Sequence, residues 1–223
     1  MKHFLCHFLL LLFLLGFQLG YTQKTKNLFN STNLKGWYAF EAKTGKHNKA
    51  SEVFKVENNM IRLYGKDAGY LMTKKSFKNF ELTLEFKWNT DTLYARKNNK
   101  KNSGVMYLVN KKARDTLWPK GVQFQVKEGG TGDFILLQGV TINVNGKKTE
   151  SGRSVVSKRF IDAENPIGEW NSIVITCKDG FIEQKLNGTL VNSGTDVSVL
   201  NGRILLQYEG FPIDFRNIEI MSL

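Results

Sequence analysis

The side chains in this 223-residue sequence that could do chemistry cluster around one short amide-rich strand and three acidic residues. Val122 to Lys127 alternates, so Val122, Phe124 and Val126 turn to one side and Gln123, Gln125 and Lys127 to the other. A row of amides beside a cation can hydrogen-bond sugar hydroxyls. Taken alone, the alternation describes an ordinary solvated sheet face at least as well. Glu128, Asp133 and Glu209 each fall at a strand end or in a loop, where reactive groups gather. Each is, by default, also a solvated turn residue.

Other chemistries fit worse. A glycosidase of the two-carboxylate kind needs its acids about 5–5.5 Å apart when retaining and about 6.5–9.5 Å apart when inverting. Glu81 and Glu85 share a strand face but stand about 13 Å apart at the usual rise per residue. No acidic residues recur at every second position along a strand. No pair of histidines or cysteine cluster has metal-ligand spacing, and no dense acidic loop marks a strong calcium site, so no cofactor or resident metal is expected. A weak divalent cation held by loop carbonyls leaves no trace in a sequence. No Gly-x-Ser-x-Gly elbow is present, and a catalytic triad would have to use His47 in a polar loop.

Persistent alternation with Gly, Asn and Asp turns defines the elements that would position these groups. Phe80 to Trp88 places five apolar residues on one face and Glu-Thr-Glu-Lys on the other. Shorter strands are expected at Asn27–Asn30, Val53–Val56, Met60–Tyr64, Tyr70–Thr73, Val105–Val109, Val122–Lys127, Ile135–Gln138 and Thr141–Val144. Others follow at Ser172–Cys177, Phe181–Leu186, Arg203–Tyr208 and Ile213–Ile220, with Glu41 to Ser51 as a loop. No stretch sustains a helical period for three turns. The expected fold is all-β, a two-sheet antiparallel sandwich of jelly-roll type, in one domain over residues 24–223.

Lys2 and the apolar run from Phe4 to Phe17 have the layout of a secretory signal, with cleavage between about Gly16 and Gln23. Retention as an uncleaved anchor is the alternative. No later segment is apolar enough to cross a membrane. Cys177 is the one cysteine beyond this leader, which fits an exported protein of the bacterial periplasm or cell surface better than a cystine-stapled module. The formal charge is +12, or +11 without Lys2. Its excess lies in the loop-like runs Arg96–Lys101 and Lys111–Arg114, which are not interleaved with aromatics, so nucleic acid is not an expected partner.

Several motifs then occur together in a familiar order. They are Leu28-Phe29-Asn30, Leu34-Lys35-Gly36-Trp37, Asn102-Ser103-Gly104-Val105, and Trp118-Pro119-Lys120-Gly121-Val122-Gln123-Phe124-Gln125. Gly132-Asp133, Gly168-Glu169-Trp170-Asn171, Leu186-Asn187-Gly188, Leu206-Gln207 and Phe215-Arg216-Asn217-Ile218 complete the series. In this the chain resembles the 3-keto-disaccharide hydrolase family over essentially its whole mature length. The resemblance implies a concanavalin A-like lectin/glucanase fold with a site on the concave face, and cleavage of glycosides already oxidised at sugar C3. A C3 ketone acidifies the C2 hydrogen, so one base suffices to start elimination of the C1 substituent, after which water adds. On this reading Glu128, Asp133 or Glu209 is the base and Arg216 stabilises the oxyanion. Asn102, Gln123 and Gln125 orient the sugar with Lys127 on the same face, and Trp118 stacks on it. Strict alternation groups Arg216 with Asp214, Ile218 and Ile220, so a bulge or a twist is required to aim it at the site. Gln123 stands where the family commonly has Glu. The competing expectation is a lectin-like module that binds an oligosaccharide without turning it over.

Overall fold

The computed structural model describes residues 24–64, 67–90 and 100–223. The expected leader, and residues 96–99 of the first basic run, lie outside these.

The clearest alternation in the sequence becomes the centre of one sheet. In β7 (Phe80–Trp88) the five apolar side chains are buried and the four polar ones half-buried. It pairs on one side with β14 (Asn171–Lys178) and on the other with β18 (Ile213–Ser222). Beyond β14 lie β15 (Phe181–Leu186) and β16 (Thr189–Gly194). The free edge of β18 takes β5 (Met60–Leu63), itself paired with β4 (Lys55–Glu57), and further along takes β1 (Thr25–Asn27).

The second sheet runs in the order β13 (Ser154–Ser157), β10 (Phe134–Leu137), β9 (Gly121–Lys127), β8 (Asn102–Val109), β17 (Arg203–Tyr208), β6 (Gly69–Thr73), β2 (Trp37–Glu41) and β3 (Gly45–His47). A two-stranded ribbon, β11 (Asn143–Val144) with β12 (Lys147–Lys148), stands apart. Every strand pairing is antiparallel. The two sheets enclose one core in which Leu82, Leu84 and Phe86 meet Val105, Phe124 and Leu206. This is the antiparallel jelly-roll sandwich that the alternation predicts.

The second sheet is buried on both faces. Tyr38, Tyr70, Met72, Met106, Ile135, Leu137 and Leu205 form a second apolar cluster on the side away from the core. That explains why Tyr70-Leu71-Met72, Phe134 to Leu137 and Ile204 to Leu206 read as unbroken apolar runs rather than as alternation.

Local differences from the sequence reading have physical causes. The expected loop at Glu41 to Ser51 contains the end of β2, the short strand β3 and a 3-10 turn at Ala50–Glu52, all too short to register as periodicity. The expected edge strand at Asn27–Asn30 lies instead at exposed Thr25–Asn27, which pairs with β18. Edge strands β13 and β16 are also additional to the expected set. In β18 a bulge is present: register shifts between Arg216 and Glu219, and Asn217 has φ +51°. Its effect is to turn Ile218 and Ile220 into the core after Phe215. Arg216 therefore stays with Asp214 on the outer face of the first sheet. Cys177 packs beside Ile173 and Ile175, and burial pushes its thiol well above the ordinary range.

Candidate functional site: an amide-floored cleft

A cleft of about 430 Å³ opens on the outer face of the second sheet. Strand register builds its floor. Gly104 of β8 lies opposite both Gln125 of β9 and Gln207 of β17, so these three share a row. In the next row Gln123 sits between Met106 and Ile135, and on the other side Asn102 pairs with Lys127. Gly104 is a spatial requirement. A Cβ there would approach the Gln123 side chain to 2.5 Å, so the missing side chain is what lets the Gln123 carboxamide lie across β8.

Glu209, one residue past β17, is the hub. It accepts from Asn102 Nδ2 at 2.6 Å, from Gln207 Nε2 at 2.7 Å, and from the indole N–H of Trp118. Gln125 Nε2 reaches Asn102 Oδ1 at 3.5 Å, and Gln123 Nε2 donates to Gln125 Oε1. Trp118, 40% exposed, forms an aromatic wall, and Gln138 Nε2 holds its carbonyl at 3.3 Å. Val156 of the edge strand, 54% exposed, contributes an apolar lip, while Lys127 and Arg153 bring positive charge to the cleft. Aromatic and apolar walls around a polar floor can accept a sugar ring by stacking and multiple hydrogen bonds.

Six of the sequence-predicted residues therefore meet in one place: Asn102, Trp118, Gln123, Gln125, Lys127 and Glu209. Three do not. Glu128 is exposed beyond β9, where its backbone N–H meets the Lys101 carbonyl at 3.4 Å. Asp133 accepts the Arg159 N–H at 2.8 Å and so ties the turn after β9 to the chain leaving β13. Arg216 lies on the other sheet, its Nε 2.5 Å from Glu85 Oε2 and its guanidinium 3.8 Å above the Trp170 ring. Sequence reasoning passed over Gln207, Gln138, Arg153 and Val156. Gln207 breaks the apolar run Ile204–Leu206 of β17 and stands in the Leu206-Gln207 motif, and these were the available signals.

A second polar cluster anchors the segment that carries Trp118. Asp115 Oδ1 accepts from the Tyr38 hydroxyl at 2.6 Å and the Tyr70 hydroxyl at 2.7 Å, with Lys46 Nζ 3.3 Å from its other oxygen. Arg203 donates to the Tyr38 oxygen at 2.8 Å. Burial, and then the bond to Asp115, pushes both phenols far above their ordinary value, so they remain protonated donors. Burial alone would raise Asp115, but Tyr38, Tyr70 and Lys46 together outweigh it and hold the carboxyl below its usual range. Among the described residues, no three His, Cys, Asp or Glu side chains converge as a metal ion would require.

Family match and fold together make this a carbohydrate-active jelly roll of the glycosyl hydrolase-like kind. More specifically, the chain belongs to the 3-keto-alpha-glucoside-1,2-lyase-like domain family, whose sequence profile matches residues 24–221. A glycosyl hydrolase candidate from Parabacteroides distasonis is 22% identical, with 89% of this chain and 94% of that one aligned at a TM-score of 0.62. A second from the same organism is 24% identical over 90% of this chain and 100% of its own, at 0.60. The Bacillus licheniformis beta-glucanase superposes at 0.54 with 11% identity, covering 90% of this chain and 98% of its own. At these identities the superpositions establish the fold. No curated protein matches the sequence.

Proposed function

We propose that this protein cleaves 3-keto-glycosides, with Glu209 as the base that removes the C2 proton. The observation that carries the reading is the carboxylate count: among the described residues, Glu209 is the one acid lining the cleft, and amides form the rest of its polar floor. A two-carboxylate hydrolysis has no second acid there. An elimination needs one base. Glu209 takes the C2 proton, the C2–H electrons form an enolate with the C3 ketone, and collapse of the enolate breaks the C1–O bond. The leaving alkoxide takes up a proton, and water then adds across the resulting C1=C2 bond, returning a proton to C2. Lys127 and Arg153 are the cations available to the enolate oxygen. Trp118 supports the apolar ring face.

A specific observation favours sugar binding without turnover as the second reading. Three donors already hold the two Glu209 oxygens, an arrangement that suits a carboxylate anchoring the floor as well as one acting as a base. Incubating residues 24–223 with methyl 3-keto-α-glucopyranoside and with the unoxidised glycoside separates the two. Methanol release from the keto-sugar alone supports the first, and retained binding with no release of methanol supports the second. Export completes the proposal, resting on Lys2 and the apolar run after it. N-terminal sequencing of the secreted product tests it, and a chain retaining Met1 in the cytoplasm overturns it.

A further inference from the structure

The carboxamides on the cleft floor form a chain with a direction. An ionised Glu209 can only accept, so Asn102 must turn Nδ2 toward it. That leaves Asn102 Oδ1 for Gln125 Nε2, and Gln125 Oε1 for Gln123 Nε2. Nitrogen and oxygen of a side-chain amide are ordinarily interchangeable by shape. Here the acceptor-only end removes the ambiguity at every link. The far end is Gln123 Oε1, a buried oxygen with no hydrogen-bond partner, on a residue that is 4% exposed and lines the cleft. Met106 and Ile135, its neighbours across the row, offer it no donor side chain. Buried acceptors are rarely left unmatched, so this one marks a place for a ligand donor.

We propose that Glu209 fixes the hydrogen-bonding polarity of the whole floor, making Gln123 Oε1 a terminal acceptor that selects a sugar hydroxyl and rejects a carbonyl at that point. The inference rests on the reading of this cleft as a sugar site. It also orients the substrate: the ketone oxygen, which can only accept, is turned away from Gln123 and toward the cationic side of the cleft. Gln123 is then a specificity-determining residue, and Asn102 and Gln125 are the positioning residues that transmit the polarity.

The test uses methyl α-glucoside and analogues in which each hydroxyl in turn is replaced by hydrogen, fluorine or a keto oxygen, titrated calorimetrically against the mature protein. At one ring position the fluoro and keto analogues should bind as poorly as the deoxy analogue, about 5- to 10-fold below the parent. Gln123→Met should erase that penalty at that position alone. Glu209→Gln, whose amide can donate or accept, allows the chain to reverse, so the keto analogue should regain affinity there. If the fluoro and keto analogues match the parent at every position, or the penalty survives Gln123→Met, the proposal fails while the sugar site stands. If no glycoside in the panel binds, the sugar-site reading fails and takes the proposal with it. Neutron diffraction from unliganded crystals gives a check without ligand. Deuterons on the Gln123 nitrogen pointing at Gln125 are expected, and the reverse orientation overturns the proposal.

Discussion

Asp115→Ala probes the segment that holds Trp118 over the cleft. Asp115 accepts from two buried phenols, so its removal leaves the Tyr38 and Tyr70 hydroxyls without their acceptor. Each such orphan costs about 1–3 kcal/mol. Two features reduce the sum. Met72 Sδ lies 3.1 Å from the Tyr38 oxygen as a weak substitute, and the Asp115 side chain is 20% exposed, so water can enter. The expected loss is about 2–4 kcal/mol, which lowers Tm by roughly 5–12 °C in a domain of this size. Asp115→Asn keeps an acceptor for the phenols and gives up only the attraction to Lys46, so it should lose less than half as much. The pH dependence has a definite sign. Because the folded carboxyl titrates below its ordinary value, its stabilisation is present above the unfolded value and disappears as pH falls through the folded one. The Tm gap between wild type and Asp115→Ala, read by scanning calorimetry, should therefore narrow on acidification. A gap below 2 °C at pH 7, a gap that widens in acid, or equal losses in Asn and Ala variants would refute the reasoning.

Other variants test the site from different sides. Gly104→Ala pushes a methyl group into the Gln123 carboxamide; glycoside affinity should fall about tenfold with a destabilisation of about 1–3 kcal/mol, both measurable by ligand-dependent thermal shift. Trp118→Ala removes the aromatic wall and one Glu209 donor, and should weaken glycoside binding by about 1–3 kcal/mol in calorimetric titration while leaving the fold intact by circular dichroism. Arg216→Ala, on the opposite sheet, should leave sugar binding and turnover unchanged, with a stability loss of about 1 kcal/mol or less.

Strands with one solvated face, such as β7, β14 and β15, were legible residue by residue, because a two-residue period survives wherever one face meets water. The second sheet was harder to read, since a second apolar cluster on its outer face turns alternation into continuous apolar runs. The amide row of β9 was legible as a shared face and Glu209 as an acid at a strand end, while Asn102 could be named only through a family motif. What joins them is register across β9, β8 and β17, and no local pattern encodes register. Arg216 shows the same limit in reverse. The need for a bulge or a twist was visible in the sequence, but which side chains it turns inward depends on the neighbours of β18, and the core claims Ile218 and Ile220. On the proposed polarity of the floor, the Gln123 amide is what lets it run in one direction to a single carboxylate.

The most direct test of that single carboxylate is the fate of the C2 hydrogen. Methyl 3-keto-α-glucopyranoside incubated in D2O with the mature protein should release methanol and yield a 3-keto sugar carrying deuterium at C2. Glu209→Gln should slow both events together by about 10²–10⁴-fold. Methanol release without deuterium at C2, equal cleavage of the unoxidised glycoside, or full activity in Glu209→Gln would contradict the account.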